Sequence, residues 1–221
     1  MIRQRPAPRS LGILFLVTWC GMLASPAVSR SAEARPQPAG LAFEDQFRNR
    51  REIGAMRGDV VVLVYANRTA AEAAVGLGRR LHLRFHPTAA SAAAEEWSRQ
   101  PVTPLAGWPA GVRVPDVHVI PVACLPEVPK PLHAVARSRL RKESEFVSVW
   151  LDFEDAMRAT FGMVADEPNI AVIDTQGRTH SVRSGHLDDL GVAELAGLIE
   201  RLRWQARADQ RTAIAPVSAP R

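Results

Sequence analysis

Apolar positions along this chain fall into two patterns. Val60-Val61-Val62-Leu63-Val64 and Asn169-Ile170-Ala171-Val172-Ile173-Asp174 are short, nearly continuous apolar runs rich in β-branched residues. Runs of that length predict strands buried on both faces, as in a parallel or mixed sheet covered by helices. Val117–Cys124 predicts another core strand, with Pro121 marking a bulge or an edge. Helical spacing takes over elsewhere. Ala71, Ala74, Val75 and Leu77 predict a helix from Thr69 to about Leu83, opened by a Thr69-x-x-Glu72 capping box. Leu132, Val135, Ala136 and Leu140 predict the apolar side of a helix over Pro131–Glu145. Leu190, Val192, Leu195, Leu198, Ile199 and Leu202 predict the inner face of a closing helix, Leu187–Trp204.

Shorter elements lie between. Leu41–Phe47 reads as an extended lead-in, Ile53–Asp59 as a loop turning at Gly58, and Ala89–Arg99 as a short helix. The segment 101–115, with Pro101, Pro104, Pro109 and Pro115, reads as a long loop pinned by Trp108. Val147–Asp152 predicts a short strand and Phe153–Phe161 a short helix stopped at Gly162. The turn at Gln176-Gly177 joins Asn169–Asp174 to Arg178–Arg183 as a hairpin. The order is βαβ followed by ββα, which predicts an α/β fold: a central mixed sheet with helices on both faces.

The ends differ in character. Residues 1–27 carry Arg3, Arg5 and Arg9 ahead of an apolar stretch, Leu11 to Ala24, and then small residues, the pattern of a secretory signal peptide. That stretch is shorter than the roughly 20 residues of a membrane span, although left uncleaved it would serve as an N-terminal anchor. Trp19 beside Cys20 argues against a lipoprotein signal. Residues 28–40, rich in Ala, Ser, Pro and Arg, read as a linker, 41–204 as the folded domain, and 205–221 as a disordered tail. Export to the periplasm or beyond is the expected destination.

Formal charge is +5 and the calculated pI about 10.2, which invites a nucleic-acid reading. Removing residues 1–27 takes away three arginines and no acid, leaving 25 basic and 23 acidic groups, a net of +2. Binding a phosphate backbone needs clustered positive charge. The one dense cluster, Arg137, Arg139, Arg141 and Lys142, reads as the solvated face of a helix, so no nucleic-acid partner is expected.

Arg57-Gly58-Asp59-Val60-Val61-Val62-Leu63-Val64-Tyr65 resembles the glycine loop and first core strand of the redoxin branch of the thioredoxin-like superfamily. Pro168-Asn169-Ile170-Ala171-Val172-Ile173-Asp174-Thr175-Gln176-Gly177 resembles its proline-strand-turn signature. The resemblance spans about Leu41 to Arg203. It implies that Pro168 is a cis-proline facing the active site. It also implies that Thr69 and Glu72 occupy the places of the family's two cysteines, with Asn67 and Arg68 beside them. Dithiol exchange needs one thiolate to attack and a second thiol to resolve the mixed disulfide. Peroxidase and copper-delivery chemistry in this fold also need cysteine here, so none of these activities transfers.

Cleavage of the signal leaves Cys124 as the lone cysteine. Its place at the end of a core strand fits either an inert buried thiol or a single functional one on the sheet edge where ligands gather. His82 and His86, four apart, would face one side of a helix and could share a metal, but no third ligand is evident; a solvated helix end is the competing reading. His180 and His186 read as surface residues. Arg68 beside a helix start fits an anion contact or a solvated side chain, and Asn67-Arg68-Thr69 also matches a glycosylation acceptor pattern. No cofactor and no metal is expected. The expected role is a binding or accessory module acting with an exported protein partner; the other reading is a single-thiol redoxin-type oxidoreductase using Cys124.

Overall fold

The computed structural model describes residues 41–214, so the predicted signal, the linker and residues 215–221 lie outside the described residues. The apolar run at the centre forms β3 (Val60–Ala66), every residue of which is buried. β4 (Val117–Cys124) runs parallel to it in register, Val60 opposite Val117 and Ala66 opposite Ala123. On the other side β6 (Asn169–Ile173) pairs antiparallel with β3, and β7 (Thr179–Ser184) closes a hairpin with β6. Gly177 holds φ +88° in that hairpin turn, a left-handed conformation that a side chain would strain.

A hairpin of β1 (Ala42–Asp45) and β2 (Arg50–Glu52) reaches the sheet through β5 (Trp150–Asp152). The complete order is β2-β1-β5-β4-β3-β6-β7. Successive side chains of a strand point to opposite faces, and β3 divides accordingly. Val60, Val62, Val64 and Ala66 face α1 (Ala71–Phe85) and α4 (Asp189–Ile214), where Leu77, Leu81, Leu195 and Ile199 complete one cluster. Val61, Leu63 and Tyr65 face α3 (Ala156–Phe161), where Met157, Phe161 and Trp150 complete the second. This mixed sheet with helices on both faces, built as βαβ then ββα, is the thioredoxin-like α/β fold.

Several elements depart from the sequence pattern. Ala89–Arg99 is not one helix but two 3-10 turns, Pro87–Ser91 and Ala94–Arg99. α2 (His133–Glu143) forms where a helix was expected, yet buries no residue; Leu132 and Val135 are 51% and 63% exposed. It is held instead by polar and ring contacts: His133 stacks on Phe153 at 3.8 Å, and Arg141 Nη2 donates to the Gln46 carbonyl. Arg137 Nη1 stands 2.8 Å from Glu44, an ion pair by distance although the N–H is not aimed at the carboxylate. The basic cluster of α2 is therefore partly tied down, and Arg139 pairs with Glu143 at 2.7 Å. Leu190, assigned to the inner face of the last helix, is exposed.

The expected tail from 205 is also corrected, because α4 continues to Ile214 and Ala206 is buried. One polar residue explains how the helix grips the long loop. Arg203, 1% exposed, donates from Nε to the Pro115 carbonyl and from Nη2 to the Thr103 carbonyl, both at 2.9 Å. Trp108 adds a ring contact to Trp204 at 5.4 Å.

Candidate functional site

The junction between β3 and α1 is where the resemblance places the reactive centre. The capping box does not form. α1 begins at Ala71 with Ala70 as its cap residue and no side-chain cap bond, one residue later than the cap at Thr69 that the pattern predicted. Asn67 serves the turn instead: its Oδ1 accepts from the Ala70 amide at 3.3 Å and its Nδ2 donates to Asp166 at 2.9 Å. The Thr69 hydroxyl also bonds Asp166, and hydrogen bonds from Asn67 and then Thr69 hold that carboxyl below its ordinary range. Arg68, Thr69 and Glu72 are exposed. The delayed helix start is why threonine and glutamate cannot reach the amides a capping box would satisfy.

Pro168 precedes β6, whose first residue, Asn169, pairs with Tyr65 near the end of β3. Every described peptide bond is trans, so the cis-proline that the resemblance implied is corrected. An X–Pro bond prefers trans, and here the flanking carbonyls are occupied: Glu167 O accepts from Asn169 Nδ2 at 2.7 Å and Pro168 O from the Gly185 amide at 2.9 Å. Asn169, fully buried, also accepts from the Val164 amide and from Ser184 Oγ. This side chain organises the 164–168 loop, a role the sequence pattern hid because Asn169 looked like the first residue of an apolar strand.

Cys124 ends β4 opposite Asp152 of β5 and is 0% exposed. It packs with Tyr65, Met157 and Phe161, on the sheet face away from α1. Burial, then the Asp152 and Asp155 carboxylates, pushes the thiol up to about 12. A reactive thiol needs the opposite setting, an exposed position near positive charge. Asp152 has other work: it accepts the amides of Glu154, Ala156 and Met157 and so caps α3.

His82 and His86 do not sit at a solvated helix end. They are 6% and 4% exposed and stack on each other at 4.4 Å, with Trp97 stacked on His82 at 3.8 Å. His82 Nε2 meets the Trp97 carbonyl at 3.0 Å, and burial, then the neighbouring His86, pushes its pKa down to about 4. His86 meets the Gln100 carbonyl through Nδ1 at 2.8 Å and the Val117 carbonyl through Nε2 at 3.0 Å. Both rings thus clamp the 97–100 segment onto the sheet. Among the described residues no group of three or more His, Cys, Asp or Glu is placed to hold a metal ion. His180 bonds Asp174 at 2.8 Å and is partly buried.

A cleft opens beside this clamp, about 580 Å³ in volume, lined among others by Arg50, Arg99, Asp116, Val119 and Trp150. It exists because β5 pairs with β4 only from Val122 onward, leaving the first part of β4 without a neighbour on that side. Pro121 stands where β5 joins β4, in regular register with Val64 and without a bulge.

No family model matches the chain, and neither does any curated protein. Solved structures similar in shape include a pneumococcal exposed lipoprotein thioredoxin from Streptococcus pneumoniae, 14% identical, covering 70% of this chain and 96% of that one, TM-score 0.43. Another is peroxiredoxin Q from Xanthomonas campestris, 11% identical, covering 79% and 99%, TM-score 0.46. A third is a secreted thiol-disulfide isomerase from Corynebacterium glutamicum, 12% identical, covering 73% and 83%, TM-score 0.44. What the strand order and crossovers themselves establish is a thioredoxin-like α/β domain with Asn67-Arg68-Thr69 at its strand-helix junction.

Proposed function

We propose that this chain is an exported thioredoxin-fold protein that works as a binding or accessory module without dithiol oxidoreductase activity. The observation that carries the reading is the position of Cys124. The single thiol of the described domain is fully buried, on the sheet face away from α1, while Thr69 and Glu72 occupy the junction. A threonine hydroxyl is far too weak an acid to replace a thiolate as the attacking group. The single-thiol alternative is disfavoured by the same burial, since a thiol pushed up to about 12 is protonated at neutral pH.

Export rests on the N-terminal pattern of residues 1–27. No helix among the described residues is long and apolar enough to cross a membrane. The test is reduction of insulin by dithiothreitol with the chain lacking residues 1–27, beside Cys124→Ser. The expected result is a rate equal to that without protein for both. Turnover that persists in Cys124→Ser, or that is lost with it, would each overturn the reading.

A further inference from the structure

His86 presents both of its ring nitrogens to carbonyl oxygens. Nδ1 stands 2.8 Å from the Gln100 carbonyl and Nε2 3.0 Å from the Val117 carbonyl. A carbonyl only accepts, and a neutral imidazole offers one N–H and one lone pair. Two such contacts on a ring 4% exposed are satisfied together only when both nitrogens carry protons. The sheet supplies no other donor to the Val117 carbonyl. Val60 N takes the Asp116 carbonyl, which turns residue 117 away from β3, and β5 joins β4 only from Val122. A buried cation needs a counter-charge, and Asp116 Oδ1 lies 3.7 Å from Nε2.

The charges on the neighbouring elements leave room for one cation here. On α1, His82 stacks on His86 at 4.4 Å; burial, then His86, holds it at about 4, so it is neutral at pH 7. Arg99 pairs with Glu96 in the 97–116 strap, and Glu200 of α4 pairs with Arg84. Asp59 takes Arg113 and His118. Across the cleft Arg50 pairs with Glu52 and Arg51 with Asp45. Arg203 of α4 is the cation that opposes the charge; it bonds the Thr103 and Pro115 carbonyls and also lies in the field of Asp116. Asp116 has no ion-pair partner other than His86 among the described residues.

We propose that His86 is a proton-operated latch: as an imidazolium it ties the Gln100 and Val117 carbonyls together and closes the strap, and on losing one proton it releases it. A neutral ring keeps one of the two bonds and turns a lone pair on the other carbonyl, which leaves a buried acceptor unpaired. Opening gives up a proton, so alkali favours the open form. Trp97, Ser98, Arg99 and Gln100 form one wall of the 580 Å³ cleft, so the same proton sets how wide that cleft stands. Thr103, farther along the strap, donates its amide to the Phe85 carbonyl at 2.7 Å and reports whether the strap is closed.

The test is side-chain nitrogen NMR of the histidines in the chain lacking residues 1–27, from pH 6 to 10. Exchange protection of the Thr103 amide, corrected for the intrinsic pH dependence of exchange, is followed over the same range. At pH 7 both His86 nitrogens should resonate as protonated and His82 as a neutral ring. As His86 loses its second proton, Thr103 protection should fall about fivefold to a hundredfold, the range for one buried carbonyl left unpaired. Asp116→Asn keeps an acceptor for the Val117 amide but removes the counter-charge, and should move both changes to lower pH. His86→Gln should give low protection without the pH step; should it fail to fold, Asp116→Asn carries the test. A lone-pair nitrogen on His86 at pH 7, Thr103 protection that stays level while His86 titrates, or a transition that Asp116→Asn leaves in place would each overturn the proposal. Insulin turnover bears on the accessory reading and leaves the latch untouched.

Discussion

Cys124 and Ala70 belong to opposite faces of the sheet. Ala70, the cap residue of α1, packs in the cluster beneath α1 and α4, whereas Cys124 packs with Tyr65 beneath α3. Ala66, the last residue of β3, lies in the same cluster as Ala70, while Cys124, the last residue of β4, lies in the other, so neighbouring strand ends do not bring these side chains together. The thiol therefore lies on the other face from the start of α1, away from the helix N-terminus that would lower a thiol pKa.

Alkylation of Cys124 follows from this. At pH 7 to 8 the folded protein should react with iodoacetamide far more slowly than the guanidinium-unfolded chain, since burial and the nearby Asp152 and Asp155 raise the thiol to about 12. Mass spectrometry of timed aliquots reads the difference. Equal rates in the two states would show that the thiol is open to solvent.

Acid should weaken the fold through Asp59. Burial works to raise this carboxyl, but hydrogen bonds from His118, Arg113 and the Asp116 amide outweigh it and hold it at about 2 against an ordinary 3.8. A depressed folded pKa means stability that is present above 3.8 and lost as pH falls toward 2. With Arg113 largely exposed, the contribution is on the order of 1–2 kcal/mol after screening. Urea unfolding at pH 5 and pH 2.5 should show a smaller difference for Asp59→Asn than for the unaltered chain. An unchanged difference would mean that other carboxylates govern the acid limb.

Arg203→Met should loosen the long loop. The substitution keeps most of the buried stem but strips the donors from the Pro115 and Thr103 carbonyls, for which a loss of about 1–3 kcal/mol is expected. Chemical denaturation gives the stability change, and limited proteolysis should cut within 101–115 sooner. Wild-type resistance in both measurements would show that Trp108 and Trp204 hold the loop without the arginine.

Tyr65→Phe tests the α3 face. The hydroxyl donates to the Gly162 carbonyl at 2.6 Å from a ring that is fully buried. Removing it should cost about 1 kcal/mol and leave that carbonyl unpaired. A denaturation midpoint equal to that of the unaltered protein would place the Gly162 turn under the control of its backbone alone.

Continuous β-branched runs at 60–64 and 169–174 determined, without any tertiary information, that these segments are strands buried on both faces. The reason is local: short apolar runs bounded by turn residues have few alternatives, and their order along the chain limits the topology. The hairpin turn at Gly177 and the stop at Gly162 were legible for the same reason, because glycine marks positive φ. Other features depended on neighbours distant in sequence. The Thr69-x-x-Glu72 spacing satisfied a local rule, yet Asn67 and Asp166 claimed the junction across 99 residues. The apolar spacing of α2 suggested a buried face, but the helix buries no residue and is held through His133 on Phe153 and Arg141 on Gln46. His82 and His86 looked polar and exposed until the 97–100 carbonyls folded over them. Periodicity reports which side of an element is apolar; only the assembled sheet decides what lies against it, and hence which polar groups are buried, bonded or left open.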